Sequence, residues 1–251
     1  MNVYTCVRDL EAMLTCIYYA WSSGLGHKNI RLELEPVEQL TLFDEYTHID
    51  ADPAIADKVA SSIVTKISPG FYNELTYTSM AYESDILDNM YRVMILGFHF
   101  GPSVLSMLQY RDIMRHREIR TRLGNETCRF QEVTRFHEVK KGLYVAHIEP
   151  KSHIIVSLGP IFEDRMPSEH WMIVDDIHKV AVIHPKDEHY FIRTLTDTEF
   201  DELLKTEEAN DEFTDLWKVF FDAIAIKERI NPKLQMNLLP LWTRKHAVEF
   251  T

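Results

Sequence analysis

The sequence predicts an α+β fold, with a helix-rich N-terminal half and a small antiparallel sheet with helices in the C-terminal half. In the first half, apolar residues recur at helical spacing, as in the helix predicted from about Asp9. After Gly124, short apolar runs separated by turn residues are typical of strands joined in hairpins. The 251 residues are enough for one large domain or two small ones. We treat the chain as a single unit, with 1–125 as a helical half and 126–251 as a mixed half.

The N-terminal half is predicted to begin with a β-strand and then to be mainly helical. Gly24 ends the first helix, Asp52 and Pro53 begin the second, and Ser84 caps a later one. The predicted elements are strands at 2–6 and 40–43 and helices at about 9–23, 53–67, 71–82, 84–101 and 103–122. This half is therefore expected to be a group of helices with two short strands.

The C-terminal half is predicted to contain two hairpins, a compact helix and an acidic helical end. Gly159 and Pro160 distort or interrupt the compact helix. Thr196 and Glu199 fit a capping box at the start of the next helix. The predicted elements are hairpins at 134–148 and 170–184, a strand at 191–195, and helices at 151–165, about 196–208 and from about Asp211 onward.

The composition restricts the class of protein. Apolar residues make up 45% of the chain and charged residues 26%, which is typical of a soluble globular protein. The formal net charge of -12 disfavours a protein that coats nucleic acid, because neutralising phosphates needs a basic surface. No signal-peptide pattern opens the chain, and no apolar run approaches the ~20 residues of a membrane span. Three widely spaced cysteines without a CxxC pair favour a reducing, cytoplasmic location.

Charge is distributed unevenly along the chain. Residues 109–141 contain nine Lys or Arg against five Asp or Glu, although the chain as a whole is acidic. Arg111, Arg115 and Arg122 lie near one stripe of the predicted helix, where arginines one turn apart can contact successive phosphates. The alternative is a solvated face, or an intramolecular partner for the acidic residues at 197–215.

Three arginines after this helix are candidates for binding a phosphodiester. Arginine binds phosphate or carboxylate with two parallel hydrogen bonds, which lysine cannot do. Arg129 and Arg135 could therefore position a nucleic acid while Glu126 orients one of them. The alternative is a purely structural Glu126–Arg129 pair. Arg165 is a further candidate for contacting nucleic acid.

Acid–base chemistry has its candidates in the same region. The histidines lack the HxH or HExxH spacing of a metal site, so neither a metal nor a cofactor is predicted. These histidines are His137, His147 and His153. His170 with Asp175 and Asp176 could form an acid–base site, or the two aspartates could simply make a hairpin turn. The candidate acid–base residues are Glu126, His137 and Asp175.

The C-terminal tail is a second basic neighbourhood. Arg229, Arg244 and Lys245 lie close in sequence to Trp242. An aromatic ring among cationic side chains suits the stacking of a base beside a phosphate backbone. The same residues equally suit a tail packed on the protein's own surface.

Five sequence blocks between residues 135 and 175 form a pattern: Arg135-Phe136, GLYVA at 142–146, Glu149-Pro150, FEDRMP at 162–167 and Trp171-x-Ile173-x-Asp175. This pattern resembles the bacterial family called probable DNA metabolism protein, and the resemblance extends over most of the chain. Two departures stand out. The chain has CVRD at 6–9 where the family has a Tyr-Asp-Gly type of turn, and Cys128 where the family commonly has a histidine.

The resemblance implies a role in DNA repair or modification. Members of that family occur beside a radical-SAM protein similar to spore photoproduct lyase, and some relatives are joined to a uracil-DNA glycosylase domain. The first hypothesis is an accessory protein that handles DNA for such a radical-SAM enzyme. The second is a hydrolase or lyase that acts on nucleic acid or nucleotides in its own right. The third is a protein-docking module that does not contact DNA, and no hypothesis requires a membrane.

Overall fold

The computed structural model describes residues 1–37, 39–204, 216, 217, 219, 220, 223, 226, 231–247 and 249. The chain divides into two compact units, Met1–Leu123 and Gly124–Thr251. Each unit combines helices with a sheet, so the predicted α+β class is confirmed while the layout of the halves differs. Among the described residues, no helix is both long and apolar enough to cross a membrane.

The N-terminal unit contains a parallel sheet that the sequence did not predict. Its strands are β1 (Asn2–Cys6), β2 (Ile30–Leu34) and β3 (Glu45–His48). β1 lies in the middle and pairs in parallel with both neighbours, Asn2 lying opposite Ile30 on one side and Glu45 on the other. The strand predicted at 2–6 is confirmed as part of a sheet, whereas its parallel pairing with β2 and β3 was not predicted.

The third strand lies a few residues after the predicted run at 40–43. Leu42 and Phe43 are each 87% exposed, and a turn closed by the Asp44 amide on the Thr41 carbonyl replaces the predicted strand. β3 begins at Glu45, whose amide donates to the Met1 carbonyl at 3.0 Å. The apolar residues at 40–43 favour a strand by their type, but pairing with β1 begins only at Glu45, opposite Asn2.

Helices α1 (Leu10–Ser22), α2 (Pro53–Lys66), α3 (Pro69–Ser79) and α4 (Ile86–Phe100) complete the N-terminal unit together with the first part of the next helix. The Asp9 and Asp52 carboxylates each accept two backbone amides of the following turn, as their N-cap positions predict. The N-cap of α4 is Asp85 and not the predicted Ser84. The Asp85 side chain makes no capping hydrogen bond.

The longest helix in the described part of the chain, α5 (Arg111–Val133), crosses the position where the sequence predicted a change to strands. The predicted helix at 103–122 begins later and ends later, after a short 3-10 turn at Pro102–Ser106. Gly124 costs a helix about 1 kcal/mol relative to alanine. Buried side chains continue at helical spacing across it, namely Leu123 before it and Thr127, Phe130 and Val133 after it. Their burial outweighs the local preference, so the helix continues.

The C-terminal unit is built on a mixed five-stranded sheet. Its strands are β4 (His137–Lys140), β5 (Leu143–Ile148), β6 (His170–Asp175), β7 (Val180–His184) and β8 (Phe191–Thr194). They lie in the order β4-β5-β6-β7-β8, and both predicted hairpins and the predicted last strand are confirmed. β5 and β6 are parallel and are connected through α6 (Ile155–Arg165). The sheet was expected to be purely antiparallel, but it contains this one parallel pair.

The interior of this unit lies on both sides of β6. Val174 packs with Val145, Ala181 and Leu195, whereas Trp171 is fully buried beside the Phe162 ring of α6. The described residues after the sheet include the helices α7 (Asp197–Leu204) and α8 (Pro232–Leu238). The predicted capping box is confirmed at the start of α7 by reciprocal bonds of Thr196 and Glu199. The helix predicted from about Asp211 lies mostly outside the described residues.

Candidate histidine–carboxylate site

The parallel pair β5–β6 brings polar residues to one edge of the sheet. Ile148, at the end of β5, lies opposite Asp175 at the end of β6. The Asp176 amide donates to the Ile148 carbonyl at 2.9 Å, so the two chains are still paired where they leave the sheet. The side chains that follow the strands, Glu149 and Asp176, therefore emerge together. In sheets with parallel strands, ligands commonly bind outside these carboxyl ends.

A buried histidine and an aspartate form the innermost part of this edge. His147 Nδ1 and Asp176 Oδ1 are 2.8 Å apart, and the His147 residue is only 2% exposed. The other ring nitrogen, His147 Nε2, is buried and has no hydrogen-bond partner among the residues that the structure describes. Because an imidazole nitrogen without a partner is costly to bury, this atom is a candidate for an interaction with a ligand.

The C-terminal segment adds a second histidine. His246 Nε2 lies 3.7 Å from Glu149 Oε1 and 3.7 Å from Asp176 Oδ2. One ligand atom from each of these three residues lies within 4.8 Å of the others. The His246 and His147 rings are 6.2 Å apart between centroids. We call His147, Glu149, Asp176 and His246 the histidine–carboxylate cluster.

Two further side chains, Lys245 and His137, lie next to the cluster. Lys245, whose side chain is 62% exposed, forms an ion pair with Glu149 Oε1. The His137 ring lies over the His147 ring with centroids 6.3 Å apart and an angle of 14° between the planes. The predicted candidate His137 is therefore next to the cluster, on the neighbouring strand β4. The cluster itself combines two carboxylates with two imidazoles, and a lysine and a third imidazole lie beside it. Such a set can bind a cation or exchange protons.

Glu126, another predicted acid–base candidate, lies in α5 and is 3% exposed. Its carboxylate accepts the backbone amides of Lys151 and Ser152 at 2.6 and 3.1 Å and the Ser152 hydroxyl at 2.7 Å. These contacts hold the connection between β5 and α6, two residues beyond Glu149. Glu126 therefore holds the chain segment that follows Glu149, and its carboxylate is occupied by these donors instead of by Arg129.

Asp175 makes the contacts of a turn residue. It is fully buried, and its carboxylate accepts the amides of Ile177 and His178 at 3.1 and 3.0 Å. The same carboxylate lies 2.7 Å from His178 Nδ1. These interactions match the alternative in which Asp175 shapes the β6–β7 hairpin. The next residue, Asp176, is the one whose side chain reaches the cluster.

Five of the six predicted nucleic-acid-binding arginines contact acceptors within their own unit. Arg115 reaches both oxygens of Asp85 at 2.7 Å, and this contact holds the pKa of Asp85 below its usual value. The others contact Glu83 (from Arg122), the Leu238 carbonyl (from Arg129), Glu249 (from Arg135) and the Gln131 carbonyl (from Arg165). Arg111 is exposed at the first turn of α5. These contacts are intramolecular, but none of these acceptors lies in the acidic region 197–215, of which only 197–204 are described.

A family model described as DUF4130, a domain of unknown function, matches residues 84–249. The chain belongs to the DUF4130 family. The region matched by DUF4130 contains α4, α5 and every residue of the histidine–carboxylate cluster. No curated protein matches the chain.

The cluster in this DUF4130 protein was only partly visible in the sequence. His147 and Asp176 were noticed separately, Glu149 appeared only within a resemblance block, and His246 was not singled out. A usable signal was present, because Glu149 directly follows one apolar strand-like run and Asp176 is the second residue after another. Recognising it required the parallel pairing of those two runs, whereas the sequence favoured separate hairpins.

Proposed function

We propose that this DUF4130 protein acts in DNA metabolism as a hydrolase or lyase on nucleic acid or nucleotides, with the histidine–carboxylate cluster as its reaction centre. The observation that carries the proposal is the buried His147–Asp176 pair beside Glu149 and His246 at the carboxyl ends of two parallel strands. The resemblance to the probable DNA metabolism family supports the substrate class. This choice favours the second of the three hypotheses over the accessory role.

The arrangement suits proton transfer at one defined atom. With Asp176 accepting the Nδ1 proton, the tautomer of His147 is fixed and Nε2 becomes the basic nitrogen. A carboxylate that orients an imidazole in this way also stabilises the imidazolium that forms when Nε2 accepts a proton. His147 Nε2 would take a proton from a water molecule or from the nucleotide itself. The exposed Lys245 ammonium at the edge of the cluster would attract an anionic substrate.

The arginine contacts argue against phosphate binding by the predicted arginine set as the principal function. A guanidinium that already holds a carboxylate must give up that interaction before it can bind a phosphate with two hydrogen bonds. Arg115 and Arg135 each hold a carboxylate in this way. The cluster has no such competing requirement at His147 Nε2.

The test is turnover by the purified full-length protein. Single- and double-stranded oligonucleotides containing uracil or abasic sites, together with free nucleotides, are the substrates, and cleavage products are separated by electrophoresis or chromatography. We expect His147→Gln to lower the rate by about 100-fold or more, the usual contribution of an acid–base group. The control is His189→Gln, since the His189 side chain is fully exposed, and its rate should stay within about 2-fold of wild type.

Two results would contradict the proposal. Turnover by His147→Gln at the wild-type rate would remove the cluster from the reaction. A wild-type protein that processes none of these substrates, with a folded state verified by circular dichroism, would return the assignment to the accessory hypothesis.

The accessory role remains the second candidate because one aromatic–basic surface supports it. The Lys151 ammonium lies 4.8 Å from the centroid of the Trp242 ring, and that ring also packs at 5.8 Å against Phe130. Such a site can stack a base beside a phosphate. The accessory hypothesis predicts that Trp242→Ala weakens binding of single-stranded DNA by about 10-fold, the loss of one stacked base. It also predicts an association with a radical-SAM repair-type protein, measurable with the two purified proteins.

A further inference from the structure

We propose that Glu149, Asp176 and His246 bind one divalent transition-metal ion, Mn²⁺ or Zn²⁺. The inference deepens and partly rests on the proposed function, because it supplies a cofactor for the same cluster. The sequence predicted no metal site, since the three residues have no metal-binding spacing along the chain. They come from the end of β5, the end of β6 and the C-terminal segment.

The distances within the trio are close to those of a ligand set. His246 Nε2 is 3.7 Å from one oxygen of each carboxylate, and all three ligand atoms lie within 4.8 Å of one another. Ligand atoms about 2.0–2.2 Å from a zinc ion lie roughly 3–3.5 Å apart. Movements of less than about 1 Å in three side-chain ends would therefore complete the coordination. All three residues are partly buried, so an ion would be sheltered and still reachable from solvent.

The donor atoms select the class of ion. One imidazole nitrogen with two carboxylate oxygens suits zinc or manganese, whereas calcium and magnesium favour sets made only of oxygen atoms. Three protein ligands leave at least one coordination position open. An open position is typical of catalytic sites and would accept a water molecule or a phosphate oxygen.

The second, independent observation is His147, which is not one of the three ligands. Its Nδ1 holds Asp176 Oδ1 at 2.8 Å, so the other oxygen, Oδ2, faces His246. Residues that orient a metal ligand through its second polar atom are a regular feature of metal sites. The His147 residue is only 2% exposed, and its Nε2 has no hydrogen-bond partner in the described parts of the chain. His147 therefore holds the Asp176 carboxylate in the orientation that presents Oδ2 to His246.

The Lys245 ammonium would compete with a metal ion for the Glu149 carboxylate. Its ammonium pairs with Glu149 Oε1, the same oxygen that lies near His246. An ion would displace this ammonium into solvent at little cost, because exposed ion pairs contribute only about 0–1 kcal/mol. Removing the lysine should therefore strengthen metal binding. If the Lys245–Glu149 salt bridge alone held the cluster together, the protein would take up no ion with or without this lysine.

The test is metal binding by the full-length protein after treatment with EDTA and buffer exchange. Mn²⁺ is titrated and followed by the electron paramagnetic resonance signal of the free ion, Zn²⁺ by competition with a chromophoric chelator, and Mg²⁺ by calorimetry. We expect one Mn²⁺ or Zn²⁺ per chain and binding of Mg²⁺ at least about 10-fold weaker. Glu149→Gln and His246→Asn should each weaken Mn²⁺ binding by about 10-fold or more, and Lys245→Ala should tighten it by about 3-fold or more.

His48→Gln is the matched control. His48 also contacts two carboxylates, Glu35 and Asp50, but through different ring nitrogens, so no single ion can lie among all three groups. This variant should bind Mn²⁺ like wild type.

The proposal is overturned if the wild type takes up no stoichiometric ion, or if His246→Asn binds Mn²⁺ as tightly as wild type. Weaker binding by Lys245→Ala would also overturn it. These measurements contain no nucleic acid, so they distinguish a missing metal site from a wrong assignment of the substrate.

Discussion

Glu126 is the residue whose role differs most from what its type suggests. A glutamate beside two arginines favours an ion pair or a proton transfer, and the sequence offers no sign that this one is buried. In the structure it is 3% exposed and accepts three hydrogen bonds from Lys151 and Ser152. Burial and the identity of the donors, which depend on tertiary structure, decide the role.

We expect Glu126→Ala to lower the free energy of unfolding by about 3 kcal/mol, because the Lys151 and Ser152 amides and the buried Ser152 hydroxyl lose their common acceptor. Glu126→Gln keeps one acceptor oxygen and should cost about 1–2 kcal/mol. Urea unfolding followed by circular dichroism measures both. The control is Glu132→Gln, on the same helix but exposed, which should change stability by less than about 0.5 kcal/mol. Equal stability of Glu126→Ala and wild type would show that the contacts are dispensable.

The three cysteines differ in a way that sequence spacing does not show. Cys6 and Cys16 are both buried and hydrogen-bonded to each other, whereas Cys128 is exposed on α5. The bond from Cys6, together with burial, raises the pKa of the Cys16 thiol above its usual value. A thiol reacts through its thiolate, so burial and a raised pKa both protect Cys16.

Alkylation by iodoacetamide at pH 8 should therefore modify the native protein once, at Cys128, and the denatured protein at all three cysteines. Mass spectrometry of the intact protein counts the added groups. Native Cys128→Ser should acquire none over the same period. Modification of Cys16 at the rate of Cys128 would contradict the buried position of the pair.

At the scale of elements, the confirmed predictions depend on local signals. The capping residues Asp9 and Asp52 act within one turn, and each hairpin pairs segments adjacent in the chain. The errors arise where a distant partner decides. Gly124 favours the end of a helix locally, yet α5 continues because Phe130 and Val133 are buried further along. Local propensity is a weak preference that packing overrides.

The crossing of α3 and α4 depends on a glycine in the middle of a helix. A Cβ at Gly97 would lie 2.5 Å from Cζ of Phe71, whose ring is buried. We expect Gly97→Ala to destabilise the protein by about 1–3 kcal/mol through overpacking, even though alanine favours helices. Thermal unfolding measures the loss. Gly70→Ala is the control, since the nearest atom to its Cβ is 4.0 Å away. Should Gly97→Ala raise the melting temperature, the close approach of the two helices is wrong.

The Arg115–Asp85 contact connects α5 to the start of α4 and makes stability depend on pH. The Arg115 guanidinium lowers the pKa of Asp85 below its ordinary value of 3.8. A carboxyl group whose pKa is lower in the folded state contributes stability above its unfolded pKa and loses it as pH falls through the folded value. Arg115→Gln should therefore be less stable than wild type at pH 6, and the difference should shrink below about pH 4.

Urea unfolding of both proteins from pH 6 to pH 3 measures this convergence. Arg117→Gln, an exposed change on the same helix, should show a constant and small difference from wild type. A gap between Arg115→Gln and wild type that stays constant down to pH 3 would exclude the contact with Asp85 as its cause.

For the whole molecule, the class of fold could be predicted but the pairing of distant strands could not. The α+β composition follows from periodicity along the chain, and β4–β5 and β6–β7 follow from short turns. The parallel pairs β1–β2 and β5–β6 need a crossover of many residues, which leaves no local signature. The cluster depends on the second of these pairs and on His246, which is about 70 residues from Asp176 in sequence. The residue types were therefore visible, while their convergence was not.

The charge of the whole chain sets the last expectation. A net charge of -12, with five of the six candidate arginines bound to the protein's own acceptors, leaves few cations for phosphates. Each phosphate contact contributes about -0.9 to the slope of log affinity against log salt for duplex DNA. We therefore expect a slope no steeper than about -2 for binding of a duplex oligonucleotide. Fluorescence anisotropy between about 20 and about 200 mM salt measures this slope.

The double variant Arg129→Ala/Arg135→Ala should bind within about 2-fold of wild type, since these arginines already contact the Leu238 carbonyl and Glu249. A slope of about -4 or steeper, lost in the double variant, would mean that the arginines exchange their internal acceptors for phosphates, and would favour the accessory DNA-handling role over the proposed reaction centre.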